Sequence, residues 1–371
     1  VNRTSIPASF SETIGLTDVN EAPTDLTLSG GTVAENAAAG TVVGTVAGVD
    51  PDAGASLSYG LTDDAGGRFA IDATTGEVTV ANGSLLDYEA ATLHAITVRV
   101  TDQSGLSYDE SFTIGLTDVN EAPTDLTLTG GTVAENAAVG TVVGTVAGAD
   151  PDAGASLSYG LTDDAGGRFA IDATTGQVTV ANGALLDYEA ATSHAITVRV
   201  TDQSGLSYDE SFTIALSNVN EAPTDLALTG GTVAENATVG TVVGMVAGVD
   251  PDAGATLSYG LTDDAGGRFA IDATTGQVTV ANGALLDYEA ATSHAITVRV
   301  TDQSGLTYDE SFTVALSNVN EAPSDLTLSG GTVAENAAIG TVVGTVAGVD
   351  PDAGATLSYG LTDDAGGRFA I

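Results

Sequence analysis

The sequence predicts an all-β fold, a tandem array of seven-stranded Greek-key β-sandwiches, and three observations carry that prediction. The hexapeptide Asp118-Val119-Asn120-Glu121-Ala122-Pro123 recurs at 18–23 and, with Asn in place of the first Asp, at 218–223 and 318–323, which sets a period of 100 residues. Each period holds about seven short runs rich in Val, Ile, Leu and Thr, with turn residues every 8 to 12 positions. Gly and β-branched residues fill every periodic segment, which disfavours helix. Three full periods fit, 19–118, 119–218 and 219–318. Residues 1–18 read as the tail end of a preceding repeat and 319–371 as a truncated one, so the sequence reads as a piece of a longer chain. A unit of about 100 residues is long enough to bury its own core.

The period 119–218 shows the order of elements. The hexapeptide ends in Pro, which locks one backbone angle and removes a donor, so it reads as a stiff extended connector. Leu126-Thr127-Leu128 alternates as a strand and stops at Gly130-Gly131, after which 132–136 resumes an extended path. Residues 141–147 form a β-branched strand ending in the turn Asp150-Pro151-Asp152-Ala153-Gly154. Leu157–Leu161 is a further strand, broken by Asp163-Asp164-Ala165-Gly166-Gly167. Phe169-Ala170-Ile171 and Val178-Thr179-Val180 flank a hairpin signal with Gly176 at a left-handed position. Residues 185–190 read as a turn or short helical segment. Residues 194–200 then alternate with Ile196, Val198 and Val200 inward, and 211–216 closes the unit. The half-unit 319–371 lacks the counterparts of 185–216 and is expected to expose Phe369 and Ile371.

The charge balance is extreme: 50 acidic against 8 basic residues, a net charge of −42. Such a surface opposes nucleic acid and anionic membrane. The 43% hydrophobic content, regularly alternated, predicts folding rather than disorder. The excess acid is then solvated or neutralised by cations. There is no Cys, hence no disulfide framework, and no run of 18 apolar residues.

Within each period the acids gather at five places: the connector, Glu135, Asp150 with Asp152, Asp187 with Glu189, and Asp202. All-oxygen donors of this kind suit a hard cation. These sets, in this order, resemble the calcium motifs of the cadherin domain: x-Glu-x, Asp-x-Asp, an acidic pair like Leu86-Asp87-Tyr88-Glu89, and an Asp-x-Asn-Asp-Asn-Pro linker. The resemblance covers the three complete repeats and implies a cadherin/Ig-like sandwich with Ca2+ bound at each junction. It assigns Glu35, Asp87, Glu89, Asp118, Asn120, Glu121, Asp150, Asp152 and Asp202 to the first complete junction, with the carbonyls of Val119 and Ala122. The second takes Glu135, Asp187, Glu189, Asn218, Asn220, Glu221, Asp250, Asp252 and Asp302. The third takes Glu235, Asp287, Glu289, Asn318, Asn320, Glu321, Asp350 and Asp352, and has no last Asp in the sequence. A junction at Asp18, Asn20 and Glu21 has only its lower half, Asp50, Asp52 and Asp102.

Eight carboxylates in the first junction would face six charges if three calcium ions bind, as the resemblance implies. Without metal they would repel at close range. Two departures stand out. Glu121 replaces the family's Asp, and Asn218 and Asn318 replace Asp118, removing one charge from each of those junctions. Affinities no tighter than roughly 10⁻⁴ to 10⁻³ M are expected, as in extracellular modules.

Other features carry little chemistry. Asp163-Asp164 and Asp209-Glu210 read as solvated turns, and Arg168 and Arg199 as partners of nearby acids. His94, His194 and His294 recur once per period with no nucleophile beside them, so an enzyme is not expected. Asp150 does not open an EF-hand, since position 12 is Leu161. The expected role is a calcium-stiffened extracellular spacer in a large repetitive surface or secreted adhesin. The near-identical repeats and absent Lys and Cys look more bacterial than animal. Each unit would add on the order of 40 Å. Alternatives are a module binding surface glycans or a like repeat, or a self-assembling fibre. Aromatic content of 5% with no Trp argues against a sugar platform and excludes exchange of a Trp-bearing strand.

Overall fold

Alternation of Val, Ile and Leu with polar residues suits a strand with one buried and one wet face. In the computed structural model, which describes residues 14–371, that pattern becomes a succession of strands. The chain divides into two compact units. One runs through Val133 and takes in Ala137–Leu185 and Ser193–Ala215; the other comprises Ala134–Asn136, Leu186–Thr192 and Leu216–Ile371.

In the first unit, the opening period gives β1 (Asp25–Gly30), β2 (Thr32–Ala34), β3 (Val42–Val49), β4 (Ser58–Asp63), β5 (Phe69–Ile71), β6 (Glu77–Val80), β7 (Leu93–Thr101) and β8 (Ser107–Thr117). They make two four-stranded sheets, β1-β3-β6-β5 and β2-β8-β7-β4. Every pairing is antiparallel except β2 with β8, where Thr32 lies opposite Gly115 in parallel register. The extended path expected after the Gly pair is therefore a strand of its own, and it serves the other sheet. Gly30 and Gly31 make the crossing with φ of 94° and 93°, a region open to Gly at little cost. Gly31 donates to Val43 O at 3.1 Å and accepts from Gly115 N at 2.9 Å, so one residue bonds to both sheets.

Between the sheets lie Leu26, Val43, Val46, Phe69, Val78 and Val80 from one side, and Val33, Ile96, Val98, Val100, Ile114 and Leu116 from the other. The next period gives β9 (Asp125–Gly130), β10 (Thr132–Ala134), β11 (Val142–Ala149), β12 (Ser158–Asp163), β13 (Phe169–Ile171), β14 (Gln177–Val180), β15 (Ser193–Thr201) and β16 (Ser207–Ser217). One sheet is β13-β14-β11-β9, and β15 pairs with both β12 and β16. Ile196, Val198 and Val200 are fully buried, as their alternation predicts. Gly176, at φ 69°, closes the β13–β14 hairpin.

The second unit repeats the pattern in β17 (Asp225–Gly230), β18 (Thr232–Ala234), β19 (Val242–Val249), β20 (Ser258–Asp263), β21 (Phe269–Ile271), β22 (Gln277–Val280), β23 (Ser293–Thr301) and β24 (Thr307–Ser317). Its sheets are β17-β19-β22-β21 and β18-β24-β23-β20. Beyond them β25 (Asp325–Gly330) and β26 (Gly344–Val349) form a two-stranded sheet, with Phe369 and Ile371 exposed as expected.

The segment around Leu185 is a 3-10 helix, Gly183–Leu185, followed by a turn, as expected. Three sequence expectations change. Residues 1–13, with part of the expected tail strand at 11–18, lie outside the described residues, and 14–18 form no strand. Among the described residues Arg168 pairs with no acid; it donates to Leu185 O at 2.9 Å and Ala165 O at 2.7 Å, because the turn aims carbonyls at the guanidinium. Asp209-Glu210 is strand rather than turn. Asp209 pairs with Arg199 at 2.7 Å, as Arg199 was expected to pair, while Glu210 accepts from Leu126 N at 3.1 Å and ties β16 to the start of β9. Asp163 and Asp164 do sit at an exposed turn, accepting from Ala165 N and Gly167 N.

Candidate metal centres at the connectors

The first connector is held by carboxylates from both sides. Glu35, 2% exposed, accepts from Tyr88 N at 2.7 Å and from Val119 N at 2.9 Å. Its position follows from β2, whose end aims it at the connector, and its own N–H donates to Thr117 O. Asn36, left-handed at φ 53°, donates to Glu121 Oε1 at 2.6 Å. From the other side, Asp152 accepts from Glu121 N at 2.9 Å while its own N–H donates to Asp150 Oδ1. Asn120 donates to Asp202 Oδ2 at 2.6 Å and accepts from Gln203 Nε2 and Ser204 Oγ, each at 2.8 Å. Asp202 Oδ1 accepts from Ser204 N and Leu206 N. The Asn120 amide, with that backbone turn, holds Asp202 below its ordinary value.

The acids also crowd against one another. Carboxylate oxygens of Glu35, Glu89 and Asp118 lie within 4.8 Å of one another, as do those of Glu89, Glu121 and Asp152. Glu121 Oε2 and Asp150 Oδ2 are buried with no hydrogen-bond partner. Desolvation, then the charges of Glu35, Asp118 and Asp152, push Glu89 up. Desolvation and the facing carboxylate of Asp152 push Asp118 up. Glu121 rises through desolvation and the charge of Glu35, and Asp150 chiefly through desolvation. Asp118, Asn120, Asp152 and Gln203 line a cleft of about 350 Å³. Buried oxygens without donors, crowded among like charges, fit a hard divalent cation. Asp87 Oδ1 accepts from Ala90 N at 2.7 Å.

The second and third connectors, both within the second unit, repeat this arrangement. Glu135 accepts from Tyr188 N and Val219 N, Asn136 donates to Glu221, and Glu221 N donates to Asp252. Asn220 donates to Asp302. Oxygens of Glu135, Glu189 and Glu221 converge, and Glu221 Oε2 and Asp250 Oδ2 are buried without partners. Asp187 caps Ala190 N. In the third, Glu235, Asp287 and Glu289 converge, Glu321 N donates to Asp352, Asp350 accepts from Asp352 N, and Glu321 Oε2 has no partner. Asn318 donates to Glu289, and Asn320 bonds to Glu321 O. At the N-terminal side Asp18, Glu21 and Asp52 converge, Asn20 donates to Asp102, and Asp50 Oδ2 has no partner.

Sequence reading missed Asn36, Gln203 and Ser204. Each sits beside a predicted ligand, so the signal was there: Glu-Asn and Asp-Gln-Ser pair each carboxylate with a neighbouring amide or hydroxyl.

His94, His194 and His294 lie inward on β7, β15 and β23, each beside the Phe that opens the facing hairpin, with ring centroids 6.3 to 6.5 Å apart. Their Nε2 atoms are buried without partners. Desolvation, with the nearby Arg68, Arg168 or Arg268, holds each below the ordinary imidazole value. No helix among the described residues is long and apolar enough to cross a membrane.

Comparison with known proteins gives a consistent result. The family profile of the cadherin domain matches residues 30–116, 130–217 and 230–319. The Drosophila melanogaster protocadherin-like wing polarity protein stan is 32% identical over 354 residues, covering 89% of this chain and 10% of that protein. Human cadherin-22 is 30% identical over 356 residues, covering 87% of this chain and 42% of its own length. The chain thus spans well under two thirds of these relatives. Among solved structures, mouse cadherin-23 EC22-24 is 27% identical with a TM-score of 0.59, covering 78% of this chain and 95% of that one. Domains 3-6 of protocadherin gamma B2, 22% identical with a TM-score of 0.63, share the fold over 89% of this chain and 84% of theirs.

Proposed function

The chain belongs to the cadherin family, as tandem extracellular repeats of an adhesion type rather than an enzyme, and from that premise we propose that it is a calcium-binding, calcium-rigidified spacer. We place its repeats at 19–118, 119–218 and 219–318. The observation that carries this reading is the set of buried carboxylate oxygens without donors on and beside the connectors, Glu121 Oε2 and Asp150 Oδ2 foremost. A bound divalent cation supplies the positive charge that these oxygens and their like-charged neighbours lack. Glu35, Glu89, Asp118, Glu121, Asp150 and Asp152 would hold it at the first connector, and Glu135, Glu189, Glu221, Asp250 and Asp252 at the second.

The chain's own residues prepare this site. Glu35 and Asp152 grip the connector backbone at Val119 and Glu121, which brings the ligands of the two sides to one place. The Asn120 amide keeps Asp202 ionised and fixed. The setting we propose is a large repetitive adhesin of the kind bacteria display, in which the repeats hold a binding end away from the cell. Support comes from the near-identity of the repeats and the absence of Lys and Cys.

Calcium titration of the whole chain, followed by thermal melting and small-angle scattering, tests the reading. We expect calcium in the millimolar range to raise the melting midpoint and lengthen the particle, and a chelator to reverse both. An unresponsive midpoint and scattering curve up to several millimolar would reduce the acids to a solvated surface and end the proposal.

A further inference from the structure

The connectors differ at one position, and the structure gives the difference a consequence. At the first connector Asp118 is set against Asp152, acceptor against acceptor, with Glu35 and Glu89 oxygens within 4.8 Å of Asp118. Asp152 uses Oδ2 to take the Glu121 N–H. At the second connector the residue is Asn218, and its amide donates to Asp252 Oδ1 at 2.9 Å while Asp252 Oδ2 takes the Glu221 N–H at 2.9 Å. Both oxygens of Asp252 are therefore satisfied, and the residue is only 8% exposed. At the third, Asn318 donates to Glu289 Oε1 at 2.8 Å. A repulsive contact in the first connector has become an attractive one in the other two.

We infer that the second connector keeps its carboxylate–backbone grip without metal, with the Asn218 amide standing where a cation would otherwise be needed, whereas the first connector holds that grip only when a divalent cation is bound. The inference rests on the calcium reading above for its first-connector half. It makes the array graded: falling calcium releases the Asp118 connector first and leaves the Asn218 connector closed.

Hydrogen exchange read by mass spectrometry on the whole chain tests it, since Gly115-Leu116-Thr117-Asp118 and Ala215-Leu216-Ser217-Asn218 give connector peptides of different mass. The amides to follow are Val119 and Glu121 against Val219 and Glu221. In chelator, the first pair should exchange about tenfold faster than the second, the size of effect expected of one hydrogen bond to a charged group. Calcium alone should close the gap by slowing the first pair. Asp118→Asn should slow the first pair in chelator, and Asn218→Asp should speed the second. Equal rates in chelator overturn the inference even if calcium then protects both connectors. A gap in chelator that persists in calcium overturns the calcium reading and the first-connector half of the inference, and supports the Asn218 half.

Discussion

At Glu135 a single carboxylate gathers two backbone donors from segments 31 residues apart in sequence, Tyr188 N and Val219 N. Charge-assisted bonds of this kind are strong, and leaving a donor unmet inside protein is costly. Glu135→Gln puts an amide donor where one acceptor stood. We expect a loss of about 1–3 kcal/mol of local protection at Tyr188 or Val219 in chelator, read by hydrogen exchange. The histidines act through a different balance. His94, His194 and His294 are held below the ordinary value of 6.5, so between that lower value and 6.5 the unfolded chain binds more protons than the folded one. Stability is thus full above about pH 6.5 and declines as pH falls beneath it. In saturating calcium, the triple His→Phe variant should show a flatter melting profile between pH 7 and 5.5 than the unaltered chain. The metal-free connectors have the opposite sign. Glu89, Asp118 and Glu121 sit above their ordinary values, so the folded state binds more protons there and those sites gain stability as pH falls toward that range. Melting in chelator from pH 7 down toward the carboxylate range, with the triple variant as background, should show the midpoint rising on acidification.

Among the elements, the crossing at Gly230-Gly231 tolerates little change. A Cβ on Gly230 would meet Val243 O at 2.7 Å, and the residue sits at φ 94°. Gly230→Ala should destabilise its repeat by about 1–3 kcal/mol, measurable as loss of protection in β17 and β18 with little change in distant strands. The strands themselves were readable because a sheet with one wet face writes a period of two into the sequence, as at Ile196, Val198 and Val200. The division at the Gly pair was not, since a Gly-Gly stop looks the same whether the chain leaves a sheet or changes sheets. Glu210 was misread although the same period applied to it: Tyr208, Glu210, Phe212 and Ile214 share a face. An acid on an inward position signals a buried donor, here Leu126 N. Arg168 was misread because carbonyl acceptors leave no trace in sequence, while acids do.

For the molecule as a whole, the acids at the connectors were legible as a group because five separated motifs recur in order. Which oxygens lack donors was not, since that depends on backbone N–H groups brought in from other strands. A net charge of −42 adds a general repulsion to these local ones. Added NaCl, which shortens the reach of exposed charges to about 8 Å near 0.15 M, should raise the melting midpoint in chelator. The same addition should change it little in saturating calcium.

The parallel pairing of β2 with β8 bears on how a repeat carries load. A pull applied at the two chain ends of a repeat draws β2 backward and β8 forward, so the strands slide along each other instead of peeling apart. The bonds between Gly31 and Gly115, and those from Thr32–Ala34 to 115–117, are then strained together. Rupture under such shear requires several bonds to fail at once, which gives each repeat a mechanical threshold set by three residues of β2.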